Sequence, residues 1–253
     1  MYSPNSASQW GSPTASRRAL LIHGLTASSD SWQGLAQLLE AEGFFVVAPN
    51  LLGHAWRRGT DYSMSALAED LRPYFVMDTF YDVIIGHSLG GTVTLSLLPF
   101  LPNTKETTVI LLDPPLEVTE EDSQIHMQLV KDEIMNAKTP EEHMAENPTW
   151  SRRVCILRAL GISMCDRTAA EGIFLHNRPM SFSGLLKNIP INVKITLLLA
   201  DPKFGAVCFL EHIPQGIERL NVRVLPGIGH IIQYEHPDAI MDAIPGPLPR
   251  AKL

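Results

Sequence analysis

The chain has 253 residues, 45% of them hydrophobic and 19% charged, a balance that builds a large buried core and excludes an extended disordered chain. Its 20 Lys and Arg against 27 Asp and Glu leave a net charge of -7, with no basic run longer than the pairs Arg17-Arg18, Arg57-Arg58 and Arg152-Arg153, so nucleic acid is not an expected partner. Cys155, Cys165 and Cys208 lack CxxC spacing, which excludes a disulfide framework and a zinc site; with no signal-peptide pattern and no membrane-length apolar run, a soluble intracellular protein with reduced, buried thiols is expected.

Residues 1–16 read as a polar Pro/Ser/Gly-rich segment. Short β-branched and leucine-rich runs then follow at Arg18 to Ile22, Phe44 to Ala48, Asp82 to Ile85, Thr108 to Leu112, Lys194 to Leu199 and Val222 to Leu225. Such runs, closed by Gly, Pro or Asp and mostly followed by helical patterns, mark parallel strands buried on both faces. Between the first two, Ser31 to Glu42 carries Leu35, Leu38 and Leu39 on one face and stops at Gly43, which completes a βαβ unit.

From Pro114 to about Ile189 no strand is expected and helix starts recur. Thr119 with Asp122 reads as a cap, and Thr139-Pro140 with Glu142 as a capping box with proline at the first helical position. The domain plan is therefore a core over 17–113 and 190–244, a helical cap over 114–189 and a tail over 245–253. The cap is methionine-rich (Met127, Met135, Met144, Met164, Met180) and holds Trp150, Phe174 and Phe182; these side chains either form its own core or line an apolar pocket.

The run Tyr81-Asp82-Val83-Ile84-Ile85 leads into Gly86-His87-Ser88-Leu89-Gly90-Gly91 and then a helical Thr92 to Leu98. This is G-x-S-x-G in a strand-turn-helix setting, where a sharp turn leaves no room for a Cβ at Gly86 or Gly90 and pushes Ser88 Oγ up from the carboxyl edge of the sheet. The helix N-terminus beside it favours a developing oxyanion.

Here the sequence resembles the α/β-hydrolase superfamily, over nearly the whole chain from Arg17 to about Ile244. The resemblance implies an α/β fold with a mostly parallel central sheet flanked by helices and a helical cap inserted after the strand matching the family's sixth. His23-Gly24-Leu25 matches the family's HG-x segment, which implies Leu25 and Leu89 as backbone oxyanion donors. Asn50-Leu51-Leu52-Gly53-His54 resembles D-x-x-G-H-G with Asn for Asp and Ala55 for the last Gly; His23 and His54 are taken as scaffold.

A serine hydroxyl needs a base, and the family's base is a histidine after the last strand. Gly227-Ile228-Gly229-His230 fits that place, with His236 as the alternative. For the acid, Asp113 ends one strand run and Asp201 another. The family's usual slot after the later strand is occupied here by Lys203, so Asp113 is favoured and Asp201 stays the alternative acid. Together these imply a serine hydrolase that cleaves a carboxylic ester, lactone or thioester of a bulky apolar small molecule, with no cofactor and no metal. A lyase or cyclase of natural-product biosynthesis using the same pocket, and a ligand receptor of the same fold, are the alternatives. Arg57, Arg58, Arg152, Arg153 and Arg158 either meet the phosphates of an acyl-CoA or are solvated surface residues. The terminal Ala251-Lys252-Leu253 resembles a peroxisomal address, which implies an import receptor as partner and peroxisomal localisation in a eukaryote, cytoplasmic otherwise.

Overall fold

The structure, a computed structural model, describes residues 6–75 and 79–246; Ala251-Lys252-Leu253 lies outside them. In chain order the elements are β1 (Ala7–Trp10), β2 (Arg17–Ile22), α1 (Gln33–Ala41), β3 (Phe44–Pro49), α2 (Met64–Leu71), β4 (Val83–His87), α3 (Leu89–Leu97) and β5 (Thr107–Leu112). There follow β6 (Glu117–Val118), α4 (Glu120–Met135), α5 (Pro140–Glu146), α6 (Arg152–Ser163), α7 (Arg167–Leu175) and β7 (Met180–Ser181). The chain closes with β8 (Val193–Leu199), β9 (Leu220–Val224), α8 (Ile232–Glu235) and α9 (Pro237–Met241).

Seven strands form one sheet in the order β1-β3-β2-β4-β5-β8-β9. All neighbours run parallel except β1, which pairs antiparallel with β3. Alternation along β2 sends Leu20 and Ile22 into the core beside α2 and α3, and Ala19 and Leu21 into the core with Trp32 and Leu35 at the start of α1. Every residue of β3, β4 and β5 is buried, which is why their sequences read as unbroken apolar runs. The α/β-hydrolase fold expected from the sequence is the fold observed.

The structure corrects several boundaries. Residues 7–10 are not merely a polar leader: they add an edge strand, and edge strands need no apolar run because one side stays open. The first helix begins as a 3-10 turn over Ser29–Trp32 and becomes α-helical at Gln33. The helix after Ser88 starts at Leu89, not Thr92, because Gly90 and Gly91 lie inside it, packed too closely for side chains. Between β5 and β8 stand four helices, and also the two-residue pair β6–β7 that ties the two ends of the insertion together. Thr119 and Thr139 cap α4 and α5, the latter with a full capping box.

Candidate active site

The parallel strands deliver their ends to one edge. His87 at the end of β4 is in register with Leu112 at the end of β5, so the next residues, Ser88 and Asp113, leave the sheet side by side. Both do so with left-handed backbones, φ 51 for Ser88 and φ 44 for Asp113. Such angles are costly for residues with a Cβ and persist only where the surroundings enforce them. Ser88 is held by its N–H, which donates to Leu112 O at 2.9 Å. The turn needs its glycines: a Cβ on Gly86 would lie 2.5 Å from Gly90 O, and one on Gly90 would run into the carbonyl of Ile22.

Asp113 is fully buried and saturated with donors. Its Oδ2 accepts from Val207 N at 2.9 Å and from His230 Nδ1 at 2.7 Å; its Oδ1 accepts from Ala200 N and Cys208 N, both at 3.3 Å. A carboxylate so surrounded cannot turn, and it fixes His230 with the proton on Nδ1 and Nε2 free to act as a base. Asp201 is elsewhere engaged: it caps the turn at Pro202–Phe204 through Lys203 N at 2.9 Å and accepts from Gly227 N at 2.8 Å. His236 sits between α8 and α9 and is not among the residues lining the Ser88 cavity. The structure therefore brings Ser88, His230 and Asp113 together and leaves Asp201 and His236 apart.

Two glycine-flanked histidines act as brackets. His23 Nδ1 donates to Gly24 O at 2.8 Å and its Nε2 accepts from Leu51 N at 3.1 Å, tying the loop after β2 to the loop after β3. His54 packs edge-on to His23 with ring centres 4.9 Å apart and donates through Nδ1 to Leu52 O at 3.1 Å. Burial, then the neighbouring His54, lowers the pKa of His23 to about 3, and burial lowers that of His54 to about 4; both rings stay neutral. His87 is also buried and neutral, its pKa pushed well below the usual value by burial and then by His230. Its Nε2 donates to His230 O at 3.0 Å, which anchors the backbone of the loop that carries His230.

A cavity of about 230 Å³ opens over Ser88 and His230, with Leu25 and Leu89 in its wall. Leu89 is the first residue of α3, so its N–H has no intrahelical partner. Pro115, Leu129, Ile173, Phe174 and Met180 supply much of the remaining wall. Of the two alternatives for the insertion's methionine and aromatic side chains, lining the pocket describes Met180 and Phe174; Met164 is buried outside it, while Met135 and Met144 are exposed. Phe182 packs into the main core and Trp150 lies edge-on to Tyr234, with ring centres 5.2 Å apart.

Sequence reasoning missed one polar cluster at this site. Arg158 of α6 donates to Thr26 O at 3.0 Å and Thr26 Oγ1 at 2.9 Å, and pairs with Glu133 of α4, which accepts from Thr26 Oγ1 at 3.0 Å. Thr26 follows Leu25 directly and has φ 57, so two insertion helices grip the loop that holds a candidate oxyanion donor. No local pattern signals this, because Glu133 and Arg158 are 25 positions apart and both are far from Thr26. Of the other arginines weighed for phosphate binding, Arg57 forms a two-pronged pair with Asp70, Arg58 is exposed and outside the Ser88 cavity lining, Arg152 lies 3.6 Å from Glu141 and Arg153 donates to Gln33. Among the described residues there is no cluster of side chains arranged to hold a metal ion, and no helix is long and apolar enough to cross a membrane.

Comparison with known proteins agrees with this fold. The sequence model of the Alpha/beta hydrolase family matches residues 19–243. The chain is 34% identical over 110 residues to lipase LipV of Mycobacterium tuberculosis, covering 40% of this chain and 39% of the lipase. It is 23% identical over 249 residues to a putative 2-succinyl-6-hydroxy-2,4-cyclohexadiene-1-carboxylate synthase of Bacillus subtilis, covering 89% and 88%. The matches to the mycobacterial relatives span only 28% to 39% of those proteins' lengths. Among solved structures, the thioesterase domain from the curacin biosynthetic pathway superposes with a TM-score of 0.73 at 21% identity, covering 94% of this chain and 93% of that one.

Proposed function

The chain belongs to the alpha/beta hydrolase family, and on that premise we propose that it is a serine hydrolase that cleaves a carboxylic ester, lactone or thioester of an apolar small molecule through an acyl-enzyme. The observation that carries the reading is the 2.7 Å bond from His230 Nδ1 to the buried Asp113 beside a Ser88 held at φ 51. His230 Nε2 takes the Ser88 proton as Oγ attacks the substrate carbonyl. The oxyanion of the tetrahedral intermediate lies between the Leu25 and Leu89 N–H groups. The carbonyl then re-forms, the bond to the leaving oxygen or sulfur breaks, and His230 returns the proton to it. Water, activated in the same way, attacks the acyl-Ser88 ester and releases the acid.

The wall of Pro115, Leu129, Ile173, Phe174 and Met180 supports an apolar acyl group, since each buried CH₂ contributes about 0.8 kcal/mol. Arg158, the one of the five weighed arginines that lines the cavity, is held by Glu133 and Thr26, which supports an uncharged leaving group over coenzyme A. The Bacillus subtilis relative is named a synthase and not a hydrolase, which favours one other reading, a lyase or cyclase that uses the same pocket without an acyl-enzyme. Rapid mixing with a medium-chain p-nitrophenyl ester separates the two: the hydrolase gives a burst of p-nitrophenol matching the enzyme concentration, absent in Ser88→Ala. A lyase turns over its substrate with no acyl-Ser88 and leaves the ester uncleaved. Peroxisomal import through Ala251-Lys252-Leu253 belongs to the same proposal, and a fluorescent protein ending in this tripeptide that stays cytosolic contradicts it.

A further inference from the structure

Most polar side chains in the wall of the Ser88 cavity have partners within the protein. Glu133, Arg158 and Thr26 bond to one another, and His230 is held by Asp113. The Tyr234 hydroxyl bonds to the Ser31 side chain. His87 donates through Nε2 to His230 O, and its bare Nδ1 is packed against the loop after β2, where a Cβ on Gly24 would lie 2.7 Å from it. His126 is half-buried and also lines a more polar cavity with Glu117, Asp122 and Glu211, so it stays partly open to solvent. Gln233 is different. It lies in α8, three positions after His230, and lines the same cavity. It is 7% exposed, its Oε1 is buried without a hydrogen-bond partner, and no group among the described residues bonds to its Nε2. A buried carboxamide with both ends unpaired forfeits the solvation it had in water, which destabilises the ligand-free protein until a hydrogen-bonding ligand offsets the loss.

Resting on the acyl-hydrolase reading above, we infer that Gln233 is a specificity-determining residue that recognises a hydroxyl carried by the substrate close to the scissile carbonyl. The substrate class is thus an apolar ester with a hydroxyl beside the ester group, and not a plain alkyl ester. A hydroxyl both gives and takes a hydrogen bond, and the carboxamide offers an acceptor at Oε1 and donors at Nε2. No bond holds the amide in one orientation, so a turn about its last torsion presents either end to the ligand. The place of the hydroxyl follows from the chain: Gln233 stands three positions from the base, and His230 must reach both the Ser88 hydroxyl and the leaving oxygen. Pro115, Leu129, Ile173 and Phe174 are left for the apolar remainder.

Binding to the full chain carrying Ser88→Ala tests this without turnover. Calorimetric titration compares the methyl ester of a medium-chain acid with its β-hydroxy counterpart and with the glycol monoester of the same acid, which place the hydroxyl on the acyl side and on the alcohol side. At least one of the hydroxylated esters binds about three- to tenfold tighter than the plain one. That preference disappears when Gln233→Met is added. The same substitution raises the Tm of the ligand-free protein by a few degrees, because it removes an unpaired buried amide at nearly constant volume. A glutamine that served only the fold would give a lower Tm. No preference for either hydroxylated ester, a preference unchanged in Gln233→Met, or a loss of stability in that variant overturns the inference. Phosphonate labelling of Ser88 in the unsubstituted chain reads the hydrolase proposal separately. A labelled enzyme without the preference removes only the hydroxyl recognition, and a preference in a protein that takes no label removes only the hydrolase.

Discussion

Asp113 Oδ2 and His230 Nδ1 meet at 2.7 Å across 117 positions of sequence, and the carboxylate is completely shielded from solvent while the imidazole edge remains open to the cavity. That asymmetry orients a base: one ring nitrogen is locked to a buried anion and the other faces the serine's pocket. It yields a direct comparison between the two aspartates. Asp113→Asn should lower kcat on a p-nitrophenyl ester by on the order of 10⁴, as expected when the histidine is left in the wrong tautomer. Asp201→Asn should leave kcat within about threefold, because among the described residues the Asp201 carboxylate bonds to the Lys203 and Gly227 backbones and not to His230. Steady-state kinetics of both variants decides, and a crippled Asp201→Asn contradicts the assignment.

The Arg158–Glu133 pair couples the insertion to the loop carrying Leu25. Removing Arg158 alone leaves Glu133 partly buried without its cation, whereas removing both charges does not. Arg158→Met should therefore lower Tm more than the double variant Arg158→Met/Glu133→Leu. Both variants lose the Arg158 bonds to Thr26 O and Oγ1, so both should lose about tenfold or more in kcat with a smaller change in KM. Recovery of kcat together with Tm in the double variant would show that the pair has no positioning role.

Acid should unfold this protein through its buried histidines. His23 and His54 have folded pKa values of about 3 and about 4 against an ordinary 6.5, so between those limits the unfolded state binds more protons than the native state. Stability is then complete above pH 6.5 and falls as pH drops toward 4, with a slope of about 1.4 kcal/mol per pH unit for each such histidine. Urea midpoints measured from pH 8 to pH 4.5 check the sign. A midpoint that is flat or rises on acidification to pH 5 contradicts it, and His54→Gln should shallow the slope.

Substrate charge gives a further test. Of the five arginines weighed, Arg158 is the one that lines the Ser88 cavity, and it is held by Glu133 and Thr26. An acyl-CoA should have no advantage in kcat/KM over a simple thioester of the same acid, and both rates should be insensitive to salt. A strong acyl-CoA preference that fades as ionic strength rises would restore phosphate recognition.

What the sequence made legible was whatever physics expresses locally. The buried strands show as apolar runs because both faces are covered, and the Ser88 turn shows because only glycine fits at Gly86 and Gly90. Asp113 and Asp201 could not be separated that way: each ends a strand, and only three-dimensional register shows which one His230 reaches. β1 was hidden because Ala7–Trp10 pairs on one side only and carries little apolar signal. The grip of Arg158 and Glu133 on Thr26 arises from how helices of the insertion pack over the sheet. No spacing in the chain encodes it.

The most direct test of the central claim is mass spectrometry of the protein after treatment with a fluorophosphonate. The account predicts a single adduct on Ser88, formed slowly or not at all in His230→Ala and absent in Ser88→Ala. An adduct on another residue, or none in protein that hydrolyses an ester, would contradict it.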